Sequence, residues 1–325
     1  MGSASSWPAS DMDHTAPWAE LRDCLDLPGV GVGCAEAPQG GTGVTVVVLP
    51  DGARGAVDVR GGAPATRETE CLRPENLIEG PHAICLSGGS AFGLAAADGA
   101  MQVLCEHGIG VGFGGARVPI VPAAAIFDAA AAAGRWPDAA VGRLATLDAL
   151  RGAGALPRGR HGAGSGATVG KALGPDLAMP GGQAAVTLKL PNGLRVGALA
   201  VVNALGSVIA ADGSVLAGPR REGSPPLATL PLLGAAPPPR PGTATTLALI
   251  VTNAALAKPQ LRRVATMAHD GLARAIEPCH TLYDGDVVFA AATGQEAADP
   301  TLVGSLAAHA LALAVRRAVT QAAAD

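Results

Sequence analysis

Residues 245–254 read TTLALIVTNA, an apolar run with the composition of a buried strand. They follow directly on residues 214–244, which hold eight of the chain's 26 prolines (Pro219, Pro225, Pro226, Pro231, Pro237, Pro238, Pro239 and Pro241). That texture reads as a surface linker. Any fold this chain adopts has to deliver the linker straight into its interior, leaving Thr243-Ala244-Thr245-Thr246 at the edge of the core.

The remaining strands and helices fall in blocks. Residues 44–49 and 56–60 are β-branched runs on either side of Pro50-Asp51-Gly52, which predicts an early hairpin. Residues 82–86 have a short buried-strand pattern that passes through Ser87-Gly88-Gly89-Ser90 into helical spacing over 91–107. A second helix is predicted over 129–150, interrupted at Gly134 and Pro137, and the runs 184–190 and 195–204 flank Pro191-Asn192-Gly193 as another hairpin. After the buried run come a helix over 258–276, a strand over 287–293 and a closing helix over 300–324. Without strict βαβ alternation, an α+β layered sandwich is favoured over a doubly wound parallel sheet. Residues 1–26 lack periodicity and read as a loose arm before a single body over 27–325.

The material for such layers is restricted. Aromatic residues make up 2% of the chain, so a core drawn from the 49% hydrophobic residues has to be Ala, Val and Leu, whose small side chains let layers approach closely. A net charge of −4 with 15% charged residues offers no basic stripe for phosphates, which excludes a nucleic-acid partner. The apolar stretches 247–252 and 307–315 fall short of the roughly 20 residues of a membrane span, so no membrane association is expected. No basic segment followed by an apolar one opens the chain, and the expected location is cytoplasmic. Six scattered cysteines without a CxxC read as buried free thiols.

Several motifs carry potential chemistry. Residues 164–171, GSGATVGK, fail as a phosphate-binding loop, because Ser165 and Ala172 stand where a Walker motif needs Gly and Ser or Thr. The seven histidines show no metal-ligand spacing, so neither a metal nor a cofactor is expected. Ser87-Gly88-Gly89 opens a helix, where backbone N–H groups can hold an anion or oxyanion, although a close-packed turn needs the same residues. A break before Thr245 would free a threonine whose own α-amino group, with a reference pKa near 8, can take the hydroxyl proton. An ordinary β-branched strand residue would look the same. Asp284-Gly285-Asp286 places two carboxylates at i and i+2, on one side of an extended segment, and Asn203 and Lys171 stand beside likely core strands.

In order along the chain, DLPGVGVG, RGGAPATRETECL (60–72), HAICLSGGSAFGLAAADG (82–99), VPIVPAAAIFD (118–128), GAGSGATVGKALG (162–174), ALAVVNALG (198–206), TTLALIVTNAAL (245–256) and MAHDGLARAIEPCHTLYDGDVVFAAATG (267–294) resemble the P1 family of peptidases. That family includes the DmpA-type L-aminopeptidase/D-esterases, the β-peptidyl aminopeptidases and the endo-type 6-aminohexanoate-oligomer hydrolases of the nylon hydrolase subgroup. The resemblance implies a four-layer αββα sandwich of the N-terminal-nucleophile type. It also implies a precursor that cuts itself between Ala244 and Thr245 into an α chain, 1–244, and a β chain, 245–325. Thr245 matches the nucleophile; Asp284 and Asp286 match the carboxylates that hold and polarise its hydroxyl and amine. Lys171 and Asn203 match the lysine and asparagine positions, the asparagine as an oxyanion donor, and Ser87, Gly88, Gly89 and Phe127 line the expected substrate pocket.

Three positions depart from the family's pattern. Ala244 stands where relatives often have Asn or Gly, Phe127 where several have Tyr, and Thr245 with two Asp where the DmpA type has Ser with Ser and Glu. The implied activity is hydrolysis of amide bonds in small peptides or oligomers of β-, D- or ω-amino acids, by a homo-oligomer, a tetramer of αβ units. Two alternatives stand beside it: an acyltransferase of the ornithine-acetyltransferase type, using the same nucleophile logic, and an uncleaved, non-catalytic scaffold if Ala244 blocks maturation.

Overall fold

The strand that begins at Thr245 is buried along its whole length, and the rest of the chain is arranged to cover both of its faces. The structure is a computed structural model and describes residues 16–152, 154–234 and 243–322. In chain order its main strands begin with β1 (Ala19–Arg22), β2 (Gly31–Glu36), β3 (Gly43–Val48), β4 (Arg54–Val59), β5 (Ala65–Arg67), β6 (Ala83–Ser87) and β7 (Ala123–Ala125). They continue with β8 (Gly182–Lys189), β9 (Arg195–Asn203), β10 (Thr245–Ala254) and β11 (Val287–Glu296). The main helices are α1 (Ala96–Glu106), α2 (Ala139–Arg151), α3 (Lys258–Ala273) and α4 (Pro300–Ala322).

Two sheets result. One runs β1-β8-β9-β10-β11-β4 and is antiparallel except for the β10–β11 pair. The other runs β2-β3-β6-β7-β5, with β6–β7 parallel. The alternation of side chains along β10 shows why no polar residue interrupts its stretch 247–251. Leu247, Leu249 and Val251 enter the layer between the sheets, with Ile84, Leu86, Leu199, Val201 and Phe289. Ala248, Ile250 and Ala254 lie beneath α3 and α4, among Leu261, Val264, Leu311 and Val315. On the far side, α1 and α2 close over the second sheet through Val46, Ala100, Leu104, Val141 and Ala145. The architecture is the expected α+β sandwich of four layers, αββα.

Small residues set the spacing of these layers. A Cβ on Gly142 of α2 would stand 1.9 Å from the Ala96 carbonyl of α1, and one on Gly99 of α1 would stand 1.8 Å from the Ala139 carbonyl. In β2, a Cβ on Gly33 would stand 2.2 Å from the Ala145 carbonyl of α2. These are backbone atoms, which cannot rotate away, so the helices approach one another and the sheet at distances only glycine allows.

Several expectations are corrected. Residues 44–49 and 56–60 are not a hairpin: β3 and β4 belong to different sheets, and Pro50-Asp51-Gly52 carries the chain across the inter-sheet layer. Turn chemistry fixes a reversal but not whether the two strands hydrogen-bond to each other. The loose arm does not reach residue 26. β1 pairs with β8 from Ala19↔Lys189 to Arg22↔Val186, and Leu25 is fully buried. β1 is an edge strand with mostly exposed side chains, held by its backbone, so no apolar alternation marks it; residues 1–15 lie outside the described ones. The front of the 214–244 segment is part of the body too. Val215–Ala217 pairs with Ser207–Ile209, and Thr229 is buried with its hydroxyl 2.8 Å from that of Ser207. Pro237, Pro238, Pro239 and Pro241 lie outside the described residues. Of the cysteines, Cys85 is buried, but Cys105 is exposed. Helix α4 is long and apolar enough to cross a bilayer, with a mean hydropathy of 1.4 over Pro300–Thr320, yet it packs along α3, β8 and β9.

The close helix contact yields the first prediction. Gly142→Val drives a side chain into the Ala96 carbonyl and is expected to destabilise the fold by about 2 kcal/mol or more. Gly112→Ala, where an added Cβ meets nothing, is expected to leave the thermal midpoint unchanged. Thermal melts of the two variants beside the parent chain check both.

Candidate active site

Four strands end or begin at one end of the inter-sheet layer: β9 ends at Asn203, β10 begins at Thr245, β6 ends at Ser87, and β7 runs on into Phe127-Asp128. Asn203 and Thr245 are cross-strand partners in the β9–β10 ladder, so their side chains emerge side by side on the inter-sheet face, in line with Val201 and Leu247. The amide of Asn203 is anchored there. Its Nδ2 donates to the Phe127 carbonyl at 2.9 Å and its Oδ1 accepts from the Thr168 amide at 3.0 Å. One of the two amide hydrogens is thereby used by the protein itself.

The Ala244–Thr245 bond is held on both sides by Asp284-Gly285-Asp286. Ala244 forms a parallel bridge with Asp284, in the same register as the β10–β11 pairing and three residues before its first pair, Leu247↔Val287. Gly285 N donates to the Ala244 carbonyl at 2.9 Å, and Thr246 N donates to Asp286 Oδ1 at 2.6 Å. Further back along the chain, Lys171 Nζ donates to the Thr243 carbonyl at 2.7 Å and to the Asn203 carbonyl at 2.8 Å. The Thr245 hydroxyl donates to the Ala244 carbonyl oxygen at 2.5 Å. That carbonyl therefore receives both the backbone donor of Gly285 and the side chain of the residue that follows it. A Cβ at Gly285 would stand 2.8 Å from Thr245 Oγ1 and 2.8 Å from the Ala63 carbonyl, so glycine alone fits between the two carboxylates.

The expected carboxylate pair is present, but the two members are aimed differently. Asp284 Oδ1 accepts from the Leu205 amide at 3.2 Å, and its Oδ2 accepts from the hydroxyl and amide of Thr281. Asp286 reaches Thr246 with one oxygen and His280 with the other. In the uncut chain described here, neither is hydrogen-bonded to the Thr245 hydroxyl, whose bond goes to the Ala244 carbonyl. Burial, and then the neighbouring charge of Asp286, push Asp284 up to about 6. Lys171 is pushed the other way. Burial lowers its amine to about 7 against the attraction of Asp284 and Asp128. A neutral amine keeps two hydrogens, enough for both carbonyls, and has a free lone pair.

Ser87, Gly88 and Gly89 do reach this end of the layer, but their polar groups serve the fold. Gly88 N donates to the Gly43 carbonyl, Ser90 N to the Ile126 carbonyl, and the Ser87 hydroxyl lies against the carbonyls of Gly88 and Gly93. The anion at the turn is the protein's own Asp128. Its carboxylate accepts from the Thr42 hydroxyl at 2.5 Å and from the Ala131 amide, and lies beside the Gly89 amide. Burial raises Asp128 above the usual carboxylate range. A Cβ at Gly88 would meet Asp128 Oδ2 at 2.0 Å and one at Gly89 would meet the Trp136 Cβ at 2.5 Å, so the first glycine makes room for that carboxylate and the second for Trp136. Thr42, Asp128, His280 and the Gly285 N–H were not singled out by sequence reasoning. The lone glycine between two acids was the one legible sign of a close approach.

An αββα sandwich thus carries a threonine hydroxyl, a lysine amine and a buried acid pair at one end of its inter-sheet layer, and its relatives make it an amide-bond hydrolase. The chain belongs to peptidase family S58, whose profile matches residues 23–325. It is 42% identical over 308 residues to an uncharacterized aminopeptidase of Mycobacterium tuberculosis, covering 86% of each chain. It is 35% identical over 309 residues to the 6-aminohexanoate-oligomer endohydrolase of Paenarthrobacter ureafaciens, covering 92% of this chain and 83% of the relative. In fold it matches a β-aminopeptidase of a Burkholderia species with a TM-score of 0.65 at 21% identity, covering 92% of this chain and 86% of the other. It also matches the L-aminopeptidase D-Ala-esterase/amidase of Ochrobactrum anthropi, a variant of the Ntn-hydrolase fold, with a TM-score of 0.62 at 17% identity, covering 92% and 85%.

The lowered amine of Lys171 has a signature in stability. Its folded value of about 7 lies below the ordinary 10.5, so between those values the unfolded state binds the extra proton and stability rises with pH. Lys171→Met lacks that term. In uncut Thr245→Ala chains, urea unfolding at pH 7 and at pH 10.5 is expected to show the chain that keeps Lys171 gaining several kcal/mol relative to the one that also carries Lys171→Met across the window.

Proposed function

We propose that the chain cuts itself between Ala244 and Thr245, and that the freed Thr245 is the nucleophile with which it hydrolyses amide bonds. The observation that carries this reading is the seating of the Thr245 hydroxyl against the Ala244 carbonyl, which at the same time accepts the Gly285 N–H. Attack of Thr245 Oγ1 on the Ala244 carbonyl carbon moves negative charge onto an oxygen that already has a backbone donor. Lys171 is the buried base beside the junction that can take the hydroxyl proton. Collapse breaks the C–N bond, transfers the acyl group to the hydroxyl and leaves a free amine on Thr245; water then hydrolyses the ester. In the matured site the α-amine of Thr245 takes over as base, with a reference pKa near 8. The same hydroxyl then attacks a substrate amide, and water releases the acyl group.

For substrates, the reading favours short amide-linked oligomers of amino acids, of either peptide or ω-amino acid type. Its support is the pairing of relatives called aminopeptidases with relatives called 6-aminohexanoate-oligomer endohydrolases, at 42% and 35% identity. Asn203, with its second amide hydrogen, is the side chain placed to hold the substrate oxyanion once Ala244 has left.

Sequencing of the small fragment is expected to begin at Thr245, and Thr245→Ala to abolish both the cut and amide hydrolysis. A fragment beginning at Thr243 or Thr246, or an active uncut T245A chain, would sink the assignment. Gly285→Ala, which forces a methyl group toward Thr245 Oγ1 and displaces the N–H from the Ala244 carbonyl, is expected to slow the self-cut by roughly a hundredfold. The appearance of the two fragments on a denaturing gel over time measures it.

A further inference from the structure

Asp286 has a second partner that neither the nucleophile nor the Asp284 side of the site accounts for. His280 grips Asp286 Oδ2 twice, through its own backbone N–H at 2.9 Å and through Nδ1 at 2.8 Å. To do so its backbone stands at φ 56°, the left-handed region that few non-glycine residues enter. The ring stacks edge-to-face on His269 of α3, with centroids 4.7 Å apart at 76°. His269 in turn lies against the Asp58 carbonyl of β4 through Nε2 at 3.1 Å, which makes that nitrogen the donor and leaves Nδ1 as a bare acceptor. Both the Nδ1 of His269 and the Nε2 of His280 are buried without a hydrogen-bond partner among the described residues.

We infer that His280 is a positioning residue of this active site: through its paired hydrogen bonds it fixes Asp286 in the orientation in which Oδ1 holds the Thr246 amide, and so sets the place of Thr245. This rests on the reading of Thr245 as nucleophile. Three hydrogen bonds are donated to Asp286, from Thr246 N, His280 N and His280 Nδ1, and two of the three come from His280. Its partner Asp284, which accepts from Leu205 and Thr281 instead, is raised by burial and by the Asp286 charge. The groups around His280 agree. Burial alone would lower its imidazole, but the Asp286 bond overrides this and raises it to about 10. Burial lowers its neighbour His269 to about 4, which leaves that ring neutral. Asp58 beneath is engaged by Arg262 at 2.7 Å and Arg60 at 3.2 Å, and Cys279 is the remaining titratable neighbour on the segment itself.

Two variants separate positioning from simple support. His280→Asn keeps a donor at the Nδ1 position and tolerates the positive φ, but removes the charge. His280→Gly keeps the backbone and removes the donor. H280G is expected to lose at least tenfold in kcat with KM little changed, and its Thr246 amide to exchange at least tenfold faster while the amides of Leu249 and Val251 stay protected. H280N is expected to recover most of kcat at high pH, with the acid limb of its kcat/KM profile moved up by about one unit. Variants that lower the thermal midpoint but leave kcat, the acid limb and Thr246 exchange as in the parent would overturn the inference. Imidazole NMR of the full chain gives a readout independent of activity: the His280 ring is expected not to titrate between pH 5.5 and 8.5, and titration near 6.5 would equally overturn it. A parent chain that neither cuts nor hydrolyses would defeat the proposed function, while the exchange and NMR results would still decide the role of His280.

Discussion

The parallel pairing of β10 with β11 does not stop where the strands stop. It continues backward through the Ala244–Asp284 bridge, so the backbone on each side of the Ala244–Thr245 bond is registered against Asp284-Gly285-Asp286. Everything chemical in the site depends on this continuation. Because β10 is covered by helices on one face and by the second sheet on the other, the ladder cannot slip without moving a row of Leu, Ile and Val from one buried layer to another. The apolar sandwich is therefore what gives the polar junction its precision. A hydrogen bond such as Gly285 N to the Ala244 carbonyl is weak in isolation, yet it is imposed by a strand pair whose β10 member is buried over its full length.

The polar groups at this end are matched to one another. Lys171 answers two carbonyls, Asp284 is met by Leu205 and Thr281, and Asp128 by Thr42 and a helix N-terminus. Burial moves the amine and the two acids in opposite senses, each toward its uncharged form, which is how a low-dielectric pocket holds several ionisable groups in contact. His280 is the exception. It is raised in spite of burial because a carboxylate faces it.

Legibility in the sequence followed the length scale of the physics involved. The run at 245–254 was readable because burial on both faces leaves an unbroken apolar signal, and the β8–β9 hairpin because Pro-Asn-Gly reports a local reversal. The hairpin assigned to β3 and β4 failed for lack of any local signal that tells a reversal within a sheet from a crossing between sheets. β1 was invisible because it is held by backbone groups, which every residue carries. Thr245, Asp284, Asp286, Lys171 and Asn203 were singled out from resemblance, since their approach depends on ladder register between segments far apart in the chain. His280 and Asp128 were missed for the same reason: one lone histidine and one lone acid have no spacing from which to infer a partner.

The central position of β10 has a consequence for how the molecule comes to exist. A sheet assembled around an intact chain gathers its middle strand from a tethered neighbour, in a unimolecular search. If the backbone is severed before Thr245, the same strand and α3, β11 and α4 with it become a separate polypeptide, still interleaved between β9 and β4 on one sheet. The severed pair has no reason to part while folded, but once unfolded it has to find itself again by collision. Maturation would then convert an equilibrium protein into one whose persistence is set by the rate of its first unfolding.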